Sequence, residues 1–598
     1  MEQKRLFIAI AISLVVLLGF EFLVQPHLPH PKPTTPAITS TQNGGTSTAD
    51  NASPGAPAGK GGVSAAAGAV AAAPSPTVAI KAPSLDGSIS LRGALLDNLV
   101  LTDYHETIDP KSPLVKLLEP TTSDKPYYIQ YGWAPAPGQS IDGAPVRLPD
   151  SNTLWKASAD TLSPGHPLTL TWDNGQGLTF ALTYTIDDHY MFSVDQQVKN
   201  AGKTAVDLFP WSRIRRDYMP PTSGFYLLHE GPIGVFRGTL HELGYKSIQK
   251  DGEKNDGVGY TETSDGGWLG FTDKYWLTAL VPDQHDDMTG SVRAISVNGT
   301  EGFQSDFIAS KAETVAPGGT ASMTSRAFTG AKVVSLLDHY EAVYHIPSFD
   351  KAVDFGIFYF LTKPIFFALD YLNHVLGNFG LAIMVFTVAV KLLFFPLANK
   401  SYKSMSKMKL MAPKIQEMRE RFKDDPAKQQ QEMMALYRAE KVNPASGCLP
   451  MVIQIPVFFC LYKVIFVTIE MRHAPFFGWI HDLSATDPTN IFTLFGLIPW
   501  DPTTIAPFLH LGAWPLIMGC TMFLQQKLNP PPPDPTQARL FQLMPIIFTF
   551  MLAHFPAGLV IYWSWNNLLS CAQQWFIMRR TRLDRPRMLR TERKGAKA

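Results

Sequence analysis

Residues 379–397 read FGLAIMVFTVAVKLLFFPL, an apolar run whose single charge is Lys391. As an α-helix rising 1.5 Å per residue, the run is about 28 Å long, close to the roughly 30 Å hydrocarbon thickness of a bilayer. Lys391 lies about 9 Å of helix rise before the end of the run. The run therefore predicts a membrane-spanning helix with a cation near one end.

Apolar runs of similar length follow this one. They lie at 449–469, 511–527, 540–555 and 557–578. The last two are joined by the tight connection Phe555-Pro556-Ala557, which is typical of a turn. Residues 379–578 therefore predict a core of five membrane spans.

Basic residues are concentrated in two polar stretches beside these runs. Residues 399–447 hold 11 Lys/Arg against 6 Asp/Glu, and residues 579–598 hold 9 against 2, although the whole chain has a net charge of only +1. Short loops rich in Lys and Arg stay in the cytoplasm. We therefore expect both stretches to be cytoplasmic and the turn at Pro556 to be periplasmic.

The first 77 residues predict an anchor and a linker. Residues 1–24 combine a basic start with an apolar run from Leu6 to Leu23. We interpret them as a sixth span, an uncleaved signal anchor with a cytoplasmic N-terminus, because Gln25-Pro26-His27 follows in place of a small-x-small cleavage site. A cleaved signal peptide is the alternative. Residues 25–77 are mostly Pro, Ala, Gly, Ser and Thr, which predicts a disordered linker.

Residues 78–350 contain short segments in which apolar and polar residues alternate. LTLTW at 168–172 and LTFALTY at 178–184 flank Asp173-Asn174-Gly175, a pattern typical of a β-hairpin. The segment is long enough to form its own core. It contains none of the four cysteines, which excludes a disulfide framework there: Cys448, Cys460, Cys520 and Cys571. We predict a periplasmic all-β sandwich.

Residues 353–376 are mostly apolar, but four polar residues recur at helical spacing on one face: Tyr359, Lys363, Asp370 and His374. This pattern favours an amphipathic helix lying in the periplasmic interface. An additional span here would place the basic tail, residues 579–598, outside the cell, against the charge rule.

The basic stretch 399–447 predicts two helices, at 402–422 and 426–442. Asp425 is suited to be the N-cap of the second helix, and Pro426 its first residue. Four apolar residues share one face of the first helix: Met411, Ile415, Met418 and Phe422. We predict an αα-hairpin that projects into the cytoplasm with this apolar seam inside.

Six runs of the sequence resemble the YidC/Oxa/Alb family of membrane protein insertases, in the same order and over nearly the whole chain. They are GPIGVFRG (231–238), GGWLGFTDKYW (266–276), MAPKIQ (411–416), QEMMALY (431–437), KVNP (441–444) with Gly447-Cys448, and FPAGLV (555–560). The resemblance implies an α-helical polytopic membrane protein of the inner membrane, with a five-span insertase core, an added first span and a large periplasmic sandwich.

The resemblance also implies a function without catalysis. Family members insert and fold hydrophobic segments of nascent membrane proteins, alone or with the Sec translocon. They use a hydrophilic groove that is open to the cytoplasm and to lipid. An arginine of that groove corresponds to Lys391 here, and Thr387 and Trp563 match positions along the path of the substrate. Because Lys lacks the planar fork of Arg, a strictly bidentate role is not expected of it.

Other polar residues of the predicted spans are candidates for the same groove. Trp563 starts a helical stripe at i, i+4, i+7 and i+11, and the third span adds one amide, so the further candidates are Asn567, Ser570, Gln574 and Gln454. Snorkelling of Lys391 to the headgroups and helix-to-helix hydrogen bonds by the others are the structural alternatives. Lys463 stands where the family suggests a neutral residue, and we interpret it as snorkelling outward.

Two regions are candidates for partner contacts. The methionines of the predicted hairpin could offer incoming hydrophobic segments an adaptable surface, although internal packing is the simpler explanation: Met405, Met408, Met411 and Met418. The resemblance implies ribosome contact, which the basic tail could make through RNA phosphates, although retention in the cytoplasm alone would explain the charges: Arg579, Arg580, Arg582, Arg585 and Arg587.

The sequence favours no cofactor or metal. It has no phosphate-binding glycine loop, no Cys/His metal spacing and no committed carboxylate pair. A secondary transporter is one alternative function, although the spans lack paired glycine-broken helices. A membrane-anchored sugar-binding or sugar-processing enzyme is another, resting on fold analogy alone. An insertion at 491–511, longer than the family suggests, has no assigned role.

Overall fold

The computed structural model describes residues 75–223, 228–297, 299–422, 425–440, 449–498, 500–506, 509–529 and 535–595. The predicted signal anchor, residues 1–24, and nearly all of the predicted linker, residues 25–77, lie outside these ranges. The described part of the chain consists of a β-rich region followed by a group of helices.

Two large sheets and one small one form the β-rich region. The strands are β1 Thr77–Lys81, β2 Leu85–Ser90, β3 Leu95–His105, β4 Leu114–Leu118, β5 Tyr127–Pro135, β6 Ser140–Ile141, β7 Ala144–Pro145, β8 Lys156–Ala157, β9 Thr161–Leu162, β10 Leu168–Asp173, β11 Leu178–Ile186, β12 Met191–Asn200, β13 Val206–Arg216, β14 Gly231–Phe236, β15 Thr239–Glu242, β16 Val258–Asp265, β17 Trp268–Thr272, β18 Trp276–Val281, β19 Asp287–Val297, β20 Thr300–Ala309, β21 Glu313–Val315 and β22 Thr320–Ala331.

The sheet orders are far from sequential. The first sheet runs β16-β19-β20-β13-β5-β3-β2-β1-β9, with β4 on β3 and β21 on β13, and the second runs β15-β14-β17-β18-β22-β12-β11-β10-β8. Strands β6 and β7 form the small sheet. Pairing is antiparallel except between β1 and β9.

The predicted hairpin at Asp173-Asn174-Gly175 is confirmed. Strands β10 and β11 pair in register from Leu168 opposite Tyr184 to Asp173 opposite Thr179. The side chain of Asn174 accepts hydrogen bonds from the backbone N–H groups of Gln176 (2.8 Å) and Leu178 (3.0 Å), while Gly175 adopts a φ of +71°. An Asx turn with a left-handed glycine reverses the chain without strain.

Alternation along β11 shows how the sheets form a sandwich. Phe180 and Tyr184 are fully buried on one face of the strand. Their rings contact Trp133 and Tyr131 of β5, in the other sheet, at centroid distances of 5.0 and 6.1 Å. Aromatic contacts of this kind, edge-on or tilted, fill the space between two facing sheets.

The helices follow, with one exception, in the second half of the chain. They are α1 Tyr245–Gly252, α2 Val334–Tyr344, α3 Tyr359–Leu376, α4 Phe379–Leu393, α5 Phe395–Arg421, α6 Pro426–Ala439, α7 Leu449–Val467, α8 Ala513–Leu528, α9 Pro535–Leu552 and α10 Ala557–Gly595. Short 3-10 helices occupy Phe349–Ala352, Ile469–Met471, Ile491–Thr493 and Pro502–Thr504.

Within the described ranges, no single helix combines the length and hydropathy of a membrane span. One bent pair meets both criteria together, namely Phe379–Leu393 with Phe395–Lys409, whose axes differ by 69°. Residues 379–393 of the apolar run that contains Lys391 form the first member of this pair.

The predicted helix boundaries at 353, 397 and 402 are wrong. Helix α4 ends at Leu393, four residues before the predicted end at 397, because Pro396 starts a new helix in the first turn of α5. Helix α3 begins at Tyr359 and not at 353, because a 3-10 turn and Gly356, with a φ of +72°, precede it.

Candidate functional site

Lys391 projects from α4 against α10. Its ammonium donates a hydrogen bond to Ser570 Oγ at 2.8 Å, and the Ser570 hydroxyl in turn donates to the carbonyl of Asn566 at 2.7 Å. Among the described residues, Lys391 forms no ion pair with a carboxylate. The site is therefore a half-buried positive charge with one neutral hydrogen-bond partner.

Helix α4 is capped at its start and is joined to α10 by a hydrogen bond on the N-terminal side of this cation. Asn378 caps the start of α4 by accepting a hydrogen bond from the N–H of Leu381 at 3.0 Å. Trp565 Nε1 of α10 donates to the carbonyl of Met384 at 3.2 Å. Thr387, one turn before Lys391, is buried and donates to the Ile383 carbonyl within its own helix at 2.6 Å.

The bend after α4 opens the surface next to the cation. Leu392 and Leu393 directly follow Lys391 and are 67% and 73% exposed. After the bend, Tyr402 of α5 packs with Ile577 of α10. The cation therefore lies between a packed helix pair and two exposed leucines.

The other predicted groove residues of α10 are not gathered around Lys391. Asn567 donates to Thr521 Oγ1 of α8 at 3.3 Å, and Gln574 donates to the carbonyl of Leu528 at 3.1 Å. Trp563 packs against Phe458 of α7, with ring centroids 4.6 Å apart. Of the predicted stripe, Ser570 alone meets the cation among the described contacts.

Gln454 takes a separate position on α7. Its side-chain amide donates to the hydroxyl of Tyr562 on α10. Two amide oxygens nearby in sequence, Asn566 Oδ1 and Gln574 Oε1, are buried without a hydrogen-bond partner among the described atoms. The interior of this helix group therefore contains polar side chains at several separate places.

The methionine and arginine candidates have mixed surroundings. Met411 is buried, Met405 packs beside Ala398 and Tyr402, and Met408 and Met418 are half-buried. Arg579 lies over the ring of Trp575 at 5.3 Å. The backbone of α10 continues as a helix to Gly595, but the remaining predicted side chains lie outside the described ones: Arg580, Arg582, Arg585 and Arg587.

Lys463 does not snorkel outward, so that interpretation is wrong. Its ammonium pairs with Asp354 Oδ2 at 2.7 Å, with side-chain exposures of 13% and 17%. Asp354 precedes α3, and its carboxylate also accepts from the backbone N–H of His229 at 3.2 Å. The ammonium of Lys463 in the apolar helix α7 is stabilised because a carboxylate from the segment before α3 faces it.

The loop between β17 and β18 forms a second contact with the helices, which the sequence analysis missed. Lys274 lies over the ring of Phe466 at 3.9 Å, and Tyr275 donates to Ser484 Oγ at 3.3 Å. Burial lowers the pKa of Lys274 to about 8. In the sequence, this loop was marked only by the run 266–276, which resembles the insertase family but indicates no role for Lys274 or Tyr275.

Arg472 and Glu470 add further contacts between the sandwich and the helices. We call these contacts, with those of Lys274, Tyr275 and Lys463, the joint. Arg472 donates to the carbonyl of His105 on β3 at 2.6 Å and lies over Trp276 at 5.4 Å. Glu470 accepts from the N–H of Val334, the first residue of α2, at 3.1 Å. The segment after α7 is thus bonded to three separate elements of the β-rich region.

Helix α3 uses its polar face for the same purpose. Lys363 pairs with Asp338 of α2 at 2.8 Å and with Asp350 at 2.5 Å. The neighbouring face packs into the helix group, and a third face leaves apolar side chains exposed: Phe360, Phe367, Tyr371 and Val375. The sequence identified the polar face but not its partners.

Comparison with known proteins shows the family of the chain over nearly its whole length. The family described as YidC periplasmic domain matches residues 77–368, and the one described as 60Kd inner membrane protein matches residues 371–584. A membrane protein insertase YidC of Granulibacter bethesdensis is 58% identical over 588 residues, covering 98% of this chain and 100% of that protein. The chain belongs to the YidC family of membrane protein insertases. A second YidC, of Acidiphilium cryptum, is 54% identical over 592 residues, covering 97% and 98%.

The YidC match confirms the resemblance found in the sequence and an inner-membrane location, and it places the sandwich in the periplasmic domain of the family. A crystal structure of an active YidC insertase aligns with a TM-score of 0.34 at 18% identity, over 84% of this chain and 94% of that one. A galactose mutarotase-like protein from Lactobacillus casei aligns with a TM-score of 0.28 at 12% identity, over 42% and 99%. At these TM-scores neither alignment bears on function.

Proposed function

We propose that the protein inserts hydrophobic segments of nascent membrane proteins into the inner membrane through a hydrophilic groove centred on Lys391. The groove would be open to the cytoplasm and to lipid, and would work alone or beside the Sec translocon. The observation that carries the proposal is the Lys391 ammonium, which has Ser570 as its partner and no carboxylate within ion-pair distance among the described residues.

The proposed arrangement has six spans and two cytoplasmic termini. Residues 1–24 would be the first span, 25–74 a disordered linker, 77–350 the periplasmic sandwich, 359–376 an interfacial helix and 379–578 the five-span core. The 11 Lys/Arg of the hairpin region 399–447 and the 9 of the tail 579–598 support a cytoplasmic position for both.

The groove would act by lowering the cost of moving polar groups into the membrane. An unpaired positive charge in a medium of low dielectric attracts the polar, often acidic, tail of a substrate and offsets part of its desolvation. Lys391 provides a point charge and one hydrogen bond, which suits attraction of a mobile tail more than binding of one fixed group.

The apolar helix of the substrate would slide along α7 and α9 into lipid. Both helices present exposed apolar side chains at helical spacing: Val452, Ile455 and Phe459 on α7, and Leu540, Leu543 and Ile546 on α9. Burial of the substrate helix in lipid and the membrane potential would drive the process. No catalytic residue, metal or cofactor takes part.

Two cytoplasmic regions would receive the substrate. The hairpin would offer its flexible methionines to hydrophobic segments, with Met408 and Met418 half-buried and thus partly accessible. The arginines of the tail, beginning with Arg579, would contact ribosomal RNA phosphates. Both roles rest on composition and on the family.

Rescue of a strain depleted of its own insertase tests this proposal. The readout is membrane insertion of a short, Sec-independent substrate by wild type, Lys391→Ala, Lys391→Arg and the control Lys527→Ala, which removes a lysine at the end of α8. We expect wild type, Lys391→Arg and Lys527→Ala to restore insertion, and Lys391→Ala to lose most of it.

Each other outcome is informative. Full insertion by Lys391→Ala would reduce Lys391 to a snorkelling residue within an insertase. No insertion by well-expressed wild type would contradict the function itself, and saturable flux of one small solute through the purified protein would then favour a transporter.

A further inference from the structure

The long connection between α7 and α8 ends in an apolar loop. We call residues 491–498 and 500–506 the tip loop. Its single charged residue is Asp501, and it contains no Lys or Arg. The exposed side chains include four large apolar residues of at least half exposure: Leu494, Phe495, Leu497 and Ile505, with Leu497 82% exposed.

Internal hydrogen bonds hold the tip loop in one shape. Asn490, just before it, accepts from the N–H of Phe492 and donates to the carbonyl of Leu509, both at 3.0 Å. Trp500 Nε1 donates to the carbonyl of Phe492 at 3.1 Å. Because the indole N–H is bonded within the loop, the ring of Trp500 has no polar group left to pair with a partner.

The backbone of the loop is strained in a way that keeps apolar side chains outside. Leu494 and Phe495 have φ values of +47° and +58°, followed by Gly496 at +96°. Left-handed conformations are unfavourable for large side chains and are retained where a function requires them. Here the two left-handed residues, Leu494 and Phe495, carry large apolar side chains that are more than half exposed.

The base of the tip loop is fastened to the start of α8. Asp487 accepts from the N–H of Trp514 at 2.8 Å and from Trp479 Nε1 at 3.1 Å. Thr489 Oγ1 accepts from the N–H of Ala513, the first residue of α8, at 2.9 Å. The base of the loop therefore lies against the start of α8.

We propose that the tip loop inserts its apolar side chains into the periplasmic leaflet of the membrane and so anchors the start of α8 at the bilayer surface. This rests on the proposed function, in which α8 is a span that begins on the periplasmic side. A loop joined to the end of a span lies at the bilayer surface, and large apolar side chains in a loop without Lys or Arg suit the acyl region more than lipid phosphates. A contiguous exposed apolar surface on a fixed loop marks an interaction site.

Depth-dependent quenching tests the tip loop in the full chain. The four native cysteines are replaced by serine, and Leu497→Cys is labelled with nitrobenzoxadiazole in nanodiscs of phosphatidylethanolamine and phosphatidylglycerol. Val385→Cys, on the exposed face of α4, is the control for a span, and Lys199→Cys, on the exposed face of β12, is the control for water.

We expect lipids with a doxyl group on the acyl chain to quench the label at 497 and at 385, and aqueous iodide to quench the label at 199 alone. Iodide quenching at 497 together with doxyl quenching at 385 would overturn the inference and leave the span arrangement intact. A label at 385 that doxyl lipid does not quench would contradict the spans, and the inference with them.

Discussion

Lys391 and Asp97 are two ionisable side chains with different surroundings; the first is partly buried and the second is buried. Lys391 has a hydroxyl partner, Ser570, in the helix group. Asp97 lies in a β-bulge of β3, where its neighbours Leu96 and Asn98 pair with consecutive residues of β2, and it is 6% exposed. Burial raises the pKa of Asp97 to about 7. Lys391 is proposed to act on substrates, and Asp97 is expected to make the stability of the sandwich depend on pH.

Asp97→Asn should stabilise the sandwich at alkaline pH. Between about pH 4 and about pH 7 the folded chain keeps a proton that the unfolded chain releases, so stability falls as pH rises through this window. Asparagine has no charge to bury. We expect Asp97→Asn to raise the Tm at about pH 8 and to leave it unchanged near pH 4. Thermal unfolding monitored by circular dichroism measures this, with the exposed Asp188→Asn as control; an equal effect at both pH values would refute the assignment.

Helix starts show how local signals determine elements. The predicted N-cap of α6 is confirmed, since Asp425 accepts from the N–H of Lys428 at 3.0 Å and Pro426 occupies the first turn. Pro396 does the same at the start of α5. Each places a proline where its missing N–H costs nothing.

Asp425→Ala should loosen the first turn of α6. Loss of an N-cap side chain costs about 1 kcal/mol, so amides of the first turn should exchange faster with deuterium by roughly fivefold. Glu432→Ala, an exposed substitution in the same helix, is the control and should leave exchange unchanged. Equal exchange in the two variants would show that the cap does not contribute.

Elements with local signals could be predicted, and contacts between distant elements could not. The hairpin at Asn174 and the cap at Asp425 follow from neighbouring residues. The end of α4 was missed although Pro396 signalled it, because the apolar run continues through 397. The partners of Lys363 and Lys463 lie on other elements, so only the fold reveals Asp350 and Asp354. For the same reason, the sequence could propose a polar stripe on α10 but not which neighbouring helix each residue meets.

At the scale of the whole molecule, the sandwich and the helices share one buried apolar cluster and a polar joint. The cluster continues from Phe180 in β11 to Leu461 in α7. Around it, polar contacts join the two regions: the ion pairs of Lys463 and Lys363, and the hydrogen bond from Arg472 to the carbonyl of His105. The packed interior is therefore continuous between the sandwich and the helices.

Lys463→Met tests the joint. Removal of one partner from a mostly buried ion pair leaves the carboxylate of Asp354 without its counter-charge, so we expect a loss of about 2 kcal/mol and a lower Tm. The double variant with Asp354→Asn should recover part of the loss. Lys311→Met breaks an exposed pair with Asp287 and should cost less than about 1 kcal/mol. If Lys463→Met and Lys311→Met have the same Tm in detergent, the joint does not depend on this pair.

In the proposed function, substrates pass beside Lys391. The most direct measurement places a photo-activated crosslinker at Leu393, next to the cation, in purified protein reconstituted in proteoliposomes with a short hydrophobic substrate. We predict crosslinks to the substrate from Leu393, fewer in the Lys391→Ala background, and none from a crosslinker at the exposed Leu154 of the sandwich region. Insertion of the substrate without any crosslink from Leu393 would contradict the account.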